Sequence, residues 1–403
     1  MDARRPDDGD RAPPRVRSRR SCGRQLNVVR VFGSGEGCRV RRALMSLLVA
    51  VGALLQAWGN RGLELEPPAP VAPMVVLPTG QALAAVLERS DMVWSWNESE
   101  PASLPELWTE APFIGNGMVG AYFMVNKLST VLTIEVSRAD YWDVRLPGTK
   151  YYTNRTYLDT PRLPGGYLSL TATKGSKISA GMARVHLFNA SVTMSLELTA
   201  ADGKVTTITL SACALANRPS DLLFEGSALN PSYGLVLSYT PRPANGNRGV
   251  DPTPNPDATC TNGSIGAEVV CKQDLLAGGG FAHARKLICS NASNLQWRDK
   301  GHKDGVDSCA LLISLTNSVP AGVRSNQTAS ALAVAALLAA ENVGVPALKT
   351  AHCRWWAEDF WPRSFLSVPD AVVESFYLIQ LYKVGSATRC DNAENCWAMD
   401  LAM

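Results

Sequence analysis

Histidine is scarce: four occur in 403 residues, at positions 186, 283, 302 and 352, with no spacing that suits a histidine metal centre. The same scatter gives no support for a Ser-His-Asp or Cys-His nucleophile. The ten cysteines contain no Cys-x-x-Cys pair, which removes the common zinc frameworks. Neither a metal nor a cofactor is expected. Gly278-Gly279-Gly280 has no Lys-Ser/Thr behind it, so it reads as a flexible turn rather than a phosphate cradle. No apolar run reaches the roughly twenty residues of a comfortable membrane span. The formal charge of +3 is misleading. Residues 1–42 hold 12 arginines against 5 acids, and the rest of the chain holds 27 basic against 31 acidic residues. The folded part is therefore mildly acidic, and no nucleic-acid partner is expected. The Arg-rich first 42 residues, with their Pro, Gly and Ser, have the composition of a disordered tail.

Several features that are present agree on a compartment. Ala43 to Leu55 is a thirteen-residue apolar run behind a basic flank, with small residues at Ala53 and Ala57. Residues 43–58 fit a signal peptide, or a signal anchor that would tether the chain to a membrane. Glycosylation sequons occur at Asn97, Asn154, Asn189, Asn262, Asn291 and Asn326. This composition would give about three by chance. Beyond the apolar run lie eight cysteines, an even number that favours disulfides. Cys260 and Cys271 flank an expected hairpin, Cys390 and Cys396 bracket a short polar loop, and Cys289 and Cys309 complete the candidate set. The expectation is an extracellular or lumenal protein.

Residues 59–92 are a proline-rich spacer (Pro67, Pro68, Pro70, Pro73, Pro78) leading to a short helix. From 93 to 325 short β-type runs alternate apolar and polar residues, notably 184–188, 192–199, 205–210, 222–225, 235–239, 266–270 and 311–315. That density of short strands predicts a mainly β fold built as a large sandwich. From 326 to 403 the pattern turns helical. Ala329 to Glu341 is nearly pure Ala, Leu and Val. A second helix opens at Pro346 and runs through His352 to Trp361. A third starts from the capping box Ser367-x-x-Asp370 and ends near Lys383. Little polar face is left on that third helix, which predicts deep burial. Trp355, Trp356, Phe360 and Trp361 recur at helical spacing, as core aromatics do, and His352 reads as a packed structural residue.

The segment Phe113 to Ala121 sets three glycines around Asn116, directly before a run of β-formers. Some twenty residues later Asp140, Trp142, Asp143 and Arg145 crowd into six positions, with Glu135 just upstream. A sugar site uses this mixture, an aromatic face for the ring and charged forks for its hydroxyls. Asn116, Glu135, Asp140, Trp142, Asp143 and Arg145 are the candidate substrate-binding residues, with a glycan as the partner. A capped turn followed by a buried tryptophan is the structural alternative.

Pro112 to Ala121 resembles the Pro-Ile-Gly-Asn-Gly-x-Leu-Gly-Ala opening of the N-terminal β-sandwich in glycoside hydrolase family 95, best known for α-L-fucosidases. His352 to Arg389 resembles the first hairpin of that family's six-hairpin α/α barrel, including a Tyr-x-x-Gln-Leu-Tyr-Lys helix. Where the family reads Asn-Glu-Asp-x-x-Trp, this chain carries Arg138 to Arg145 instead. The resemblance implies a sandwich over 93–325, and over 326–403 a helical linker with the first hairpin of an incomplete barrel. It implies inverting hydrolysis of a terminal glycoside, such as an α-L-fucoside or α-L-galactoside, in the complete enzyme. The family's general acid and water-activating groups lie in later barrel hairpins, and no position here corresponds to them. The chain is thus expected to be the N-terminal part of a secreted glycoside hydrolase, truncated and inactive alone. The alternative is a non-catalytic carbohydrate-binding or structural ectodomain.

Overall fold

Period-two alternation organises the β region. β7 (Ser191–Thr199) buries Val192, Met194, Leu196 and Leu198 and exposes Thr193 and Glu197, so one face meets a core and the other meets solvent. Asp202-Gly203 turns the chain into β8 (Val205–Ala214), with Gly203 in the left-handed region at φ 84°. The structure, a computed structural model, describes residues 80–97, 104–141, 163, 165–241, 255–262, 267–276, 278–289, 309–318, 327–390 and 396–398. The tail 1–42, the segment 43–58, the spacer up to residue 79, three candidate site residues (Trp142, Asp143, Arg145) and three sequon asparagines (154, 291, 326) lie outside the described residues.

The fold is mainly β, with two large antiparallel sheets, a two-stranded ladder and helices at the C-terminal end. The larger sheet joins β7 and β8 to β1 (Met92–Asn97), β6 (Lys177–His186), β9 (Asp221–Gly226), β11 (Thr259–Asn262), β12 (Val269–Asp274), β13 (Gly280–Cys289) and β14 (Cys309–Asn317). Its order is β1-β6-β7-β8-β9-β14-β13-β12-β11. The smaller sheet has the order β10-β5-β4-β3-β2, from β10 (Leu235–Thr240), β5 (Gly166–Ala172), β4 (Val131–Arg138), β3 (Val119–Val125) and β2 (Phe113–Gly115). Phe123, Leu132, Ile134, Leu168 and Leu170 of the smaller sheet share one core with Leu196, Ile208, Leu210, Phe224 and Ile313 of the larger. The rings of Phe123 and Phe224 lie 6.3 Å apart across it. Each such side chain contributes about 1.5–3 kcal/mol through burial.

A helical layer covers the β9-β14-β13-β12 part of the other face of the larger sheet. α1 (Gly80–Glu88) precedes β1, and α2 (Ala329–Val343) and α3 (Val345–Arg354) follow β14. α2 lays Ala329, Ala333, Leu337 and Ala340 over Leu223, Ala282, Ala284, Ala310 and Leu312. Alanines on a 3–4 repeat bring the helix axis close to the sheet. This double cover explains why all nine residues of β14 are buried: Leu311, Ile313 and Leu315 face the sandwich core, while Ala310 and Leu312 face α2.

Four details depart from the sequence expectations. The strand expected at 266–270 begins at Val269, and the Gly278-Gly279 turn (φ 86° and 76°) is the hairpin between β12 and β13. The second helix is interrupted by a π-helical turn, Trp355–Phe360, before α4 (Trp361–Ser364). The third helix, α5 (Ala371–Ala387), is capped by Asp370, whose carboxylate accepts from Val372 N and Val373 N, rather than by Ser367. Val368 precedes Pro369, a position biased against helix, which delays the start. α5 is also only half-buried. Glu374, Leu378, Leu381, Tyr382 and Gly385 face inward, whereas Val372 and Phe376 are 79% and 61% exposed. A helix apolar on all sides has no polar stripe to mark its outward face, so composition alone overstates its burial.

The aromatic cluster is core, as its spacing implied. Trp356 and Trp361 are fully buried, and Trp361 Nε1–H is shared between the carbonyls of Leu187 (3.0 Å) and Phe188 (3.2 Å). His352 is structural too. Ala216 N–H donates to its Nδ1 (3.1 Å), which leaves Nε2–H to donate to the Asn189 carbonyl (2.7 Å).

Two expected disulfides are present, Cys260–Cys271 and Cys289–Cys309, each joining residues directly opposite in neighbouring strands. Residues 390 and 396 face each other in the ladder of β15 (Thr388–Cys390) and β16 (Cys396–Ala398). Cys213 and Cys353 are free thiols, and burial raises the pKa of both. Cys213 lies under the helical layer while Cys353 is half-buried. A thiol reagent on the native protein should therefore label Cys353 first and Cys213 only on unfolding. Peptide mapping checks this; labelling of Cys213 at the same rate would mean that the helical layer opens readily.

Candidate functional site

The glycine-rich turn joins β2 to β3. Gly117 takes φ 85°, a conformation that favours glycine, and donates its N–H to the Ser386 carbonyl at the end of α5 (2.7 Å). The Asn116 side chain accepts from Met118 N (3.0 Å) and Val119 N (2.9 Å) and donates to the carbonyls of Leu215 (2.9 Å) and Arg218 (3.1 Å). Those four bonds use both donors and both lone pairs of the amide, and the residue is buried. Asn116 is a clasp between the turn and the β8–β9 connection, with nothing left over for a sugar hydroxyl.

Asp140 belongs to a second clasp on the same connection. Arg138 Nε and Nη2 donate to its two carboxylate oxygens (2.7 and 3.3 Å), and both side chains are buried. Arg138 Nη1 donates to Leu315 O (2.9 Å) and Ser220 Oγ (3.1 Å). Asn317 Nδ2 donates to the Asp140 carbonyl (2.7 Å). Nearby, the Asp221 carboxylate receives Ser314 Oγ–H and the Arg218 guanidinium, whose Nη2 donates to Ala336 O of α2 (2.9 Å). Burial pushes the Asp221 carboxyl up, opposed by the Ser314 hydrogen bond and by Arg218. Tyr141 stacks on Phe281 at 4.0 Å and shares its hydroxyl hydrogen between the carbonyls of Ala282 and Thr316. The network ties both sheets and α2 together in a buried interior, where satisfied polar groups specify geometry.

Glu135 is placed differently. Leu132, Ile134 and Val136 of β4 point into the core, so Glu135 stands on the opposite face of the smaller sheet. Its partner in β3 is Tyr122 and its partner in β5 is Tyr167. Phe113 lies beyond Tyr122 and Thr240 beyond Tyr167, giving one row across five strands. At the usual strand spacing the two tyrosines are about 10 Å apart with the carboxylate between them. Tyr122 is buried and carries the exposed indole of Trp108 edge-on, with ring centroids 6.3 Å apart. Glu135 and Tyr167 are half-buried. The arrangement sets a carboxylate between two aromatic side chains, with the indole of Trp108 at the solvent end.

Of the six sequence-derived candidates, three are described. They separate into two interior clasps and one member of a surface row. Tyr122, Tyr167 and Trp108 were not identified from the sequence. The alternation in β5 marks Tyr167 as off the core face, whereas β3 is buried almost throughout and gives Tyr122 no such mark; only the strand register sets both beside Glu135.

No family model matches this chain, and no curated protein matches it. Among solved structures the chain is similar to a protein named as a kojibiose phosphorylase, from the human microbiome, with 9% sequence identity and a TM-score of 0.45. The match covers 75% of this chain and 42% of that one, so the chain spans less than half that protein's length. Similarity at this level carries neither substrate nor mechanism across.

Proposed function

We propose that this chain is the N-terminal part of a secreted glycoside hydrolase of α-L-fucosidase type, in which the sandwich holds glycan and the cleaving carboxyls lie outside the described residues. The row carries this reading through exposed Trp108 and half-buried Glu135 and Tyr167, with buried Tyr122 as their support. Aromatic faces stack on the C–H faces of a pyranose, and a carboxylate between them accepts from hydroxyls, each such bond being charge-assisted. The Gly-Asn-Gly resemblance and a sandwich followed by helices support the same reading. The two cystines support an oxidising compartment.

A second reading, a carbohydrate-binding module with no chemistry of its own, is favoured by how the buried carboxylates are used. Asp91 is held by Arg184 and Leu187 N, Asp140 by Arg138, Asp221 by Ser314 and Arg218, and Glu374 by Ser367 and Val368 N. Glycoside hydrolysis needs two carboxyl groups facing one bond, and these four are committed to structure. Binding to immobilised glycans followed by titration of the best ligand tests the part that both readings share. Trp108→Ala and Tyr167→Ala should each weaken binding roughly tenfold, the loss of one stacking face. Unchanged affinity in both variants would remove the row from the account.

A further inference from the structure

Among the described residues the nine-stranded sheet has two edges, β1 and β11, and each ends on the asparagine of a glycosylation sequon. Asn97 is the last residue of β1 and Asn262 the last of β11, and both are exposed. On the inner side Asn97 pairs with Ala180 and Asn262 with Val269. Edge strands usually block strand addition with charges, prolines or bulges. These two contain neither charge nor proline: β1 reads Met-Val-Trp-Ser-Trp-Asn and β11 reads Thr-Cys-Thr-Asn. Val93, the second residue of β1, is 57% exposed.

The third described sequon has the opposite setting. Asn189 lies in the turn between β6 and β7, half-buried, with Leu187 and Ala190 buried on either side. Its Oδ1 accepts from Ser191 Oγ (2.7 Å), and its carbonyl receives His352 from the helical layer. A glycan on Asn189 would have to be placed where the turn meets α3.

We propose that this chain carries N-linked glycans on Asn97 and Asn262, where they shield the two sheet edges, and that Asn189 stays bare. The donor is a lipid-pyrophosphate-linked oligosaccharide of the secretory pathway. The asparagine Nδ2 bonds to the sugar C1 as the C1–O bond to pyrophosphate breaks, and the amide proton leaves with the lipid pyrophosphate. The inference rests on the secretory entry in the proposed function and adds which sites are used and what they do.

The test is to produce the full chain in a eukaryotic secretory host and release its N-glycans with a peptide amidase in heavy-oxygen water. The peptides are then mapped for heavy-oxygen aspartate. The expected result is label at Asn97 and Asn262 and none at Asn189. Label at Asn189, or its absence from either edge while any other sequon carries it, overturns the inference and leaves secretory entry standing. Label at no sequon overturns both. The variant pair Asn97→Gln with Asn262→Gln should also self-associate more than the glycosylated chain in light scattering. Unchanged association would refute the shielding role.

Discussion

Replacing Asp140 with Ala should cost about 3–5 kcal/mol of folding stability, among the largest single-residue losses available in this fold. The substitution removes both acceptors of a bidentate pair and leaves the Arg138 Nε–H and one Nη2–H without their partner in a buried site. A buried guanidinium cannot shed its proton, so the uncompensated charge stays. The remaining bonds, from Nη1 to Leu315 O and Ser220 Oγ, hold the side chain in place and prevent it from swinging out to water. Replacing both partners, Arg138→Met with Asp140→Leu, should recover most of the loss because no charge is left buried. Denaturant unfolding of Arg138→Met, of Asp140→Leu and of the double variant measures this as a cycle, with a coupling above about 2 kcal/mol expected. Additive single losses would mean that the pair is solvated and that the clasp is not what holds the β8–β9 connection.

Acidification should unfold the protein partly through His283. This ring sits on β13 within 3.9 Å of the Tyr239 ring, and its Nε2 has no hydrogen-bond partner among the described residues. A cavity of about 20 Å³ beside it, lined also by Tyr141, Tyr239 and Gln273, has room for one water and no larger ligand. Burial, and after it the nearby Arg285 charge, lowers the His283 pKa from 6.5 to about 3. The folded state therefore keeps the ring neutral where the unfolded chain takes up a proton. Between about pH 6.5 and 3 the unfolded state binds more protons, so stability rises with pH and is lost as pH falls. By pH 4 the contribution is about 3 kcal/mol. His283→Leu should unfold with a shallower pH dependence across this window, whatever its stability at pH 7. Parallel curves for the two proteins would show that the ring is hydrated in the native state.

The sheets were legible because their signal is local. Alternation in 191–199 and 205–214, with Asp202-Gly203 between them, needs no knowledge of the partner strands. β13 was harder to read: Phe281-Ala-His-Ala-Arg-Lys mixes charge into a buried strand, and the register beneath α2 decides which residues tolerate it. The disulfides at 260–271 and 289–309 were readable as candidates, while an even cysteine count could not mark Cys213 and Cys353 as free thiols, because removing two leaves the count even. The site was legible only in composition. A glycine-flanked Asn and a nearby Asp look alike whether they face a ligand or a carbonyl, and the difference lies in contacts with residues 215 to 220, about a hundred positions away. Glu135 passed the other way: a single glutamate in an alternating strand says little until the pairings place Tyr122 and Tyr167 on either side.

If this sandwich holds a glycan while its described carboxylates perform no cleavage, simple glycosides stay intact in its presence. Incubating the purified 403-residue chain with nitrophenyl α-L-fucoside and nitrophenyl α-L-galactoside tests it most directly, with Glu135→Gln in parallel. The account predicts no nitrophenol release above buffer from either protein. Sustained turnover that disappears in Glu135→Gln would contradict it and make Glu135 a reacting group.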